Sequence, residues 1–154
     1  MAMIITGLYG SFVWPLPGSY NILFYDALTM FGVFFIAYSL LLKYNMKLDT
    51  ISFASMVLGF IIILYGVSGY LHHMTSSPIV LLGLYLMWGI SAILTYPASF
   101  VFNKMQSNQK NVNYQYMLVI LGIFLLLAGI AALGIGIQAV PEHLTDFATW
   151  VPFV

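Results

Sequence analysis

The run Ser52 to Met74, SFASMVLGFIIILYGVSGYLHHM, decides how this chain is to be read. It is apolar for longer than any ordinary strand, carries no acid, lysine or arginine, and places Ser52, Ser55, Gly59, Ile62, Gly66 and Gly69 on the a and d positions of one heptad stripe. Small residues along a stripe let a second helix approach closely. That is how helices associate in lipid, where burying apolar surface provides no drive. The run therefore predicts a membrane-spanning helix with a packing seam, ending in His72-His73-Met74 at the membrane surface.

Three further runs flank it. Ile22–Leu42, Ile51–Leu71, Ile79–Val101 and Tyr116–Ile137 each come near the ~20 residues that cross about 30 Å of hydrocarbon as a helix. The composition agrees: 154 residues, 62% hydrophobic and 5% charged, with a mean hydropathy of +1.02, leave nothing for a soluble domain. The predicted fold class is an all-α integral membrane protein, a four-transmembrane-helix bundle forming a single membrane domain over residues 1–154. The absence of cysteine excludes disulfides, iron–sulfur clusters and thiolate zinc sites. A net charge of zero with no arginine gives nucleic acid no footing.

The lysines predict the topology. Lys43 and Lys47 follow the first span and Lys104 and Lys110 the third, and alternating helices put both connections on one side. The positive-inside rule makes that side cytoplasmic and both termini extracytoplasmic at the cell membrane, together with His72, His73 and His143.

Residues 1–21 are apolar but broken by Gly7, Gly10, Pro15, Pro17 and Gly18, which predicts an interfacial segment with Trp14 and Tyr20 at the headgroup boundary. With no basic n-region, no cleaved signal peptide is expected. The outer tail 138–154 predicts a second interfacial segment, with a short helix starting at Pro141 and carrying Leu144, Phe147 and Val151 on one face. Gly59 and Gly66 recur as Gly122 and Gly129, 63 residues on, so the chain reads as two tandem helical hairpins. The fourth span carries its own stripe, Gly122, Leu125, Gly129, Ala132 and Gly136, and the two stripes facing each other would bring His72 and His73 together with Glu142, His143 and Asp146 at the outer side.

Thr6-Gly7-Leu8-Tyr9 and the run Trp14 to Phe24, WPLPGSYNILF, precede an acidic residue and an apolar helix with Gly32. This arrangement, over about residues 6–40, resembles a family of small archaeal and bacterial multi-helix membrane proteins without an established activity. A glycine follows the phenylalanine in that family, whereas Tyr25 stands here before Asp26. The resemblance implies fold and lineage only.

Candidate chemistry gathers on the predicted outer side. His72, His73, Glu142 and His143 are candidate metal ligands, for copper with the Met74 thioether or for zinc with the carboxylates of Glu142 and Asp146. The same residues also read as ordinary interfacial polar groups bonded to water or loop carbonyls. Tyr38, Tyr65, Tyr85 and Trp88 read as packing or belt residues, or as the wall of a lipid or quinone groove. Nothing ionisable falls at a span centre, and no nucleophile–base pair or phosphate loop is present, so no catalytic residue and no resident cofactor is predicted beyond structural lipids.

The function these features predict is a non-catalytic accessory subunit of a larger membrane complex, with other integral membrane subunits and membrane lipids as partners. Its packing residues are Ser52, Ser55, Gly59, Gly66, Gly69, Gly122, Gly129 and Ala132. Lineage suggests an ammonia-monooxygenase-like or terminal-oxidase-like assembly. The alternatives are a small channel or carrier for a neutral solute or metal ion, and an outer-face metal-binding factor.

Overall fold

The computed structural model describes residues 1–16, 19–107 and 112–147, with the backbone alone at 112–114, 138–140 and 142–147. Among the described residues all regular secondary structure is helical, in five helices: α1 (Ala2–Val13), α2 (Ser19–Lys43), α3 (Asp49–Leu71), α4 (Pro78–Gln106) and α5 (Val112–Phe147). The last four are long and apolar enough to cross a membrane. Leucines and phenylalanines such as Phe60, Leu64, Leu126 and Leu133 lie exposed along their outer faces, where lipid rather than water suits them.

The tightest pairing joins α3 to α4, antiparallel, along the small-residue stripe. A β-carbon at Gly59 would lie 2.6 Å from the Gly89 carbonyl oxygen, and one at Gly66 would collide with the Tyr85 side chain. Ser52, Ser55 and Ile62 are buried in the same seam, and the Ser55 hydroxyl donates to the Ala92 carbonyl at 3.4 Å. Two elements of one seam thus come from consecutive spans on either side of the expected hairpin boundary. The third and fourth spans also pack together, and the first and second do so less extensively.

The core is built where α2, α3 and α4 meet: Leu23 and Ala27, Leu58 and Ile62, and Leu81 and Tyr85. Phe31 of α2 meets the Trp88 ring edge-on, with centroids 6.0 Å apart.

Residues 2–13, expected to lie in the interface, form a helix running antiparallel along the first half of α2. Gly10 sits against Tyr25 and Gly7 against Thr29, while Ile4 covers Gly32, level with the middle of α2. The glycines that read as interruptions are the contact points, since without side chains the two backbones come together there.

Helix ends follow recognisable chemistry. At the end of α2 the Met46 N–H donates to the Leu41 carbonyl, with Asn45 left-handed at φ 51°. At the end of α3 the Met74 N–H donates to the Gly69 carbonyl and the His73 N–H to Tyr70, with His73 left-handed at φ 49°. Both are the paired C-terminal closure in which two otherwise orphaned carbonyls are satisfied. Helix α4 begins on Pro78 in its first turn, where a missing N–H costs nothing, and runs on past Val101 to Gln106. Helix α5 continues without a new start through Pro141 to Phe147, correcting the separate tail helix. Pro141 lies beyond the apolar span Gln115–Ile137, where water can take up a freed carbonyl. Val151 lies outside the described residues.

Candidate functional site

At the end of the bundle bearing His72 and His73, both histidines are exposed and serve the helix terminus. His72 Nδ1 lies 2.8 Å from the Ser68 carbonyl one turn back, a bond that the Nδ1–H tautomer donates. His73 occupies the left-handed closing position, and Met74 packs down onto the core. Glu142, His143 and Asp146 lie in the last turns of α5, with side chains outside the described residues. Among the described residues no group of three or more His, Cys, Asp or Glu side chains could hold a metal ion. The route by which the two groups were to meet is also not taken. The stripes of α3 and α5 do not face each other: the glycines of α3 are closed against α4, and a β-carbon added at Gly122, Gly129 or Gly136 would meet nothing within 4 Å.

One turn below that end, the structure assembles a polar junction. Residues Ile22–Asp26 of α2 form a turn of π-helix, which widens the helix and alters its hydrogen-bond ladder. The Leu23 carbonyl accepts a 2.6 Å bond from the hydroxyl of Tyr85, whose side chain is 1% exposed. Beside it the fully buried Asn21 ties α1 to α2: its amide donates to the Gly10 carbonyl at 2.8 Å, and its oxygen accepts the Leu16 N–H at 3.3 Å. Ser11 of α1 donates to the Asp26 carboxylate at 3.1 Å. In a setting without water each of these groups requires a protein partner, and here each has one.

The lysine-bearing end has a second polar cluster. Asp49 in the first turn of α3 accepts from the Asn103 amide at 2.5 Å and from the Ser99 hydroxyl at 3.3 Å, and Asn103 in turn accepts the Leu48 N–H. A carboxylate at a helix N-terminus also complements the helix dipole. Tyr38 of α2 donates to Ser52 of α3 at 3.0 Å. These bonds clamp α2 to α3 and α3 to α4.

Helix α5 stands apart in its packing. It meets α4 through Met117, Leu121, Phe124, Ala128, Ala131 and Ile135, a stripe in which Ala128 is buried and the others half-buried. Its glycine stripe points elsewhere: a β-carbon added at Gly122, Gly129 or Gly136 would meet nothing within 4 Å. Leu125 is exposed and Ala132 half-buried on the same stripe. One residue of offset turns a face by about 100°, so the two stripes look in different directions. Between α4 and α5, near the lysine end, lies an open groove of about 520 Å³ walled by Tyr96, Pro97, Phe100, Val101, Lys104, Met117 and Ile120.

A family model for proteins of unknown function, DUF981, matches residues 1–146. The chain belongs to the DUF981 family. The match runs from α1 to the last turn of α5, so the DUF981 unit takes in the short helix as well as the four long ones. No curated protein and no solved structure matches the chain.

Two features of this DUF981 protein escaped the reading of residues. The π turn is bonded by Tyr85, 62 residues away in sequence, and no local pattern announces it. The contact stripe of α5 is a plain run of Leu, Phe, Met and Ala, although its spacing of three and four from Met117 to Ile135 was there to be found.

Proposed function

We propose that this DUF981 protein is a non-catalytic membrane subunit that presents α5 to another integral membrane chain. The observation that carries the reading is the contrast between two stripes of similar composition. The glycines of α3 are closed against α4, whereas Gly122, Gly129 and Gly136 of α5 have no neighbour. In lipid such a stripe admits a helix at close range. The polar groups at the α1–α2 junction and the α3–α4 clamp are bonded within the chain, which fits a scaffold rather than a reaction centre.

The test is native mass spectrometry after gentle extraction from the source membrane. Co-migration with a larger subunit is expected. Gly129→Leu should release that subunit while leaving the melting temperature of the isolated chain unchanged, because the added side chain enters open space. A protein that runs alone, or a complex that survives Gly129→Leu together with Gly122→Leu, overturns the reading.

The orientation that goes with this role places the lysine-bearing end in the cytoplasm and the His72–His73 turn outside. The chain contains no cysteine, so single cysteines report sidedness without background. In intact cells a membrane-impermeant maleimide should label His73→Cys and spare Lys47→Cys. The opposite pattern would invert the assignment.

A further inference from the structure

The groove between α4 and α5 differs from the glycine stripe in shape and in chemistry. Its walls are large side chains, with Tyr96 and Phe100 held edge-on at 5.0 Å and Tyr96 braced on its other side by Phe53 of α3 at 5.5 Å. A bulky wall of this kind does not admit a helix backbone at close range as glycines do, whereas a flexible chain can lie along it. The volume of about 520 Å³ lies in the range of about 300–1,000 Å³ typical of small-molecule sites.

Its polarity runs one way. Tyr96 lies eight residues before Lys104 on α4, a rise of about 12 Å, and one leaflet of hydrocarbon is about 15 Å deep. The apolar floor therefore follows α4 through most of one leaflet and ends at Lys104, an exposed residue with a cationic head. Lys43 and Lys47 lie at the same end of the bundle and add to its positive charge.

We propose that this groove binds an anionic membrane lipid, with one alkyl chain along Tyr96, Phe100, Met117 and Ile120 and the phosphate against the Lys104 ammonium. The lipid fills the side of the α4–α5 contact that the protein leaves open. It thereby fixes the angle at which α5 stands off the rest of the bundle. The inference is independent of any partner for the glycine stripe.

The full-length protein, purified in mild detergent, is offered phosphatidylglycerol and phosphatidylcholine of identical chains and examined by native mass spectrometry. Phosphatidylglycerol should be retained about five-fold better, the preference that one lysine confers beside an anionic headgroup. Lys104→Ala should abolish the preference, and Lys47→Ala, at the same end but away from the groove, should leave it intact. Ile120→Trp, which fills the groove, should reduce retention of both lipids. Each variant's helical circular dichroism and melting temperature verify that it is folded. Equal retention of the two lipids by the unaltered protein overturns the proposal. So does an equal loss in Lys47→Ala and Lys104→Ala, which would mark a diffuse surface attraction, or unchanged retention in Ile120→Trp.

Discussion

Gly59→Leu should force α3 away from α4 and sharply lower the melting temperature of the purified protein, while Gly122→Leu leaves it where it was. At Gly59 even a methyl group would lie 2.6 Å from the Gly89 carbonyl oxygen and 3.0 Å from the Ile93 nitrogen. Both are helix backbone atoms, which cannot swing aside as the end of a side chain can. Overpacking a well-filled contact costs about 1–3 kcal/mol and more where backbone must move. Here the separation would also loosen the neighbouring close approaches at Gly66 and Gly89, because they lie on the same rigid pair of helices. Gly122 has no neighbour within 4 Å, so the same residue change in the same kind of helix provides the control. Melting measured by loss of monodisperse protein in size-exclusion chromatography distinguishes the two. Equal melting of both variants would show that the α3–α4 seam is not the close contact described.

The second large effect is expected from Tyr85→Phe. The ring contact with Trp88, at 5.5 Å between centroids, is retained, and a single hydroxyl is removed. That hydroxyl is the donor to the Leu23 carbonyl in the π turn of α2. A buried carbonyl left without its partner costs about 1–3 kcal/mol, and inter-helix bonds within membranes have measured up to about 1.7 kcal/mol. The loss should be local as well as global. Hydrogen exchange should quicken across Ile22–Asp26 and through α1, whose Gly7 and Gly10 rest on the adjoining turns of α2. It should stay unchanged in the α3–α4 seam around Gly59. Uniform exchange throughout the chain, or none, would show that the Tyr85 hydroxyl does not hold the turn.

These two sites differ in how far the residues alone revealed them. The heptad of Ser52, Ser55, Gly59, Ile62, Gly66 and Gly69 is visible because small residues at fixed spacing have few other uses in an apolar helix, and the structure buries all six. What covers them is a different matter. Glycine on α5 looked like the complement, yet the side chains meeting α3 are Leu81, Tyr85 and Ile93 of α4. A glycine stripe permits close approach from any helix and carries no address. The polar junction was less legible still. Asn21 and Asp26 read as residues near a helix start, and only the return of α1 along α2 gives their side chains Gly10 and Ser11 as partners. His73 misled in the opposite direction, since an imidazole beside another suggests a ligand, while the backbone there uses it as a left-handed helix stop.

By itself the sequence determined that this chain is four oily helices with a short fifth segment before them, and which residues of α3 are small enough to be crossed. Hydropathy, segment length and heptad spacing are local properties, and the bilayer imposes helices on them because no backbone group can be left unbonded in hydrocarbon. Only the tertiary structure decided that α4 is the partner of that stripe, that α1 folds back along α2, that Tyr85 closes the π turn, and that the glycines of α5 remain open. Those outcomes depend on which apolar surfaces fit together in three dimensions, and in lipid, where all apolar surfaces are equally at home, shape and a few hydrogen bonds make the choice.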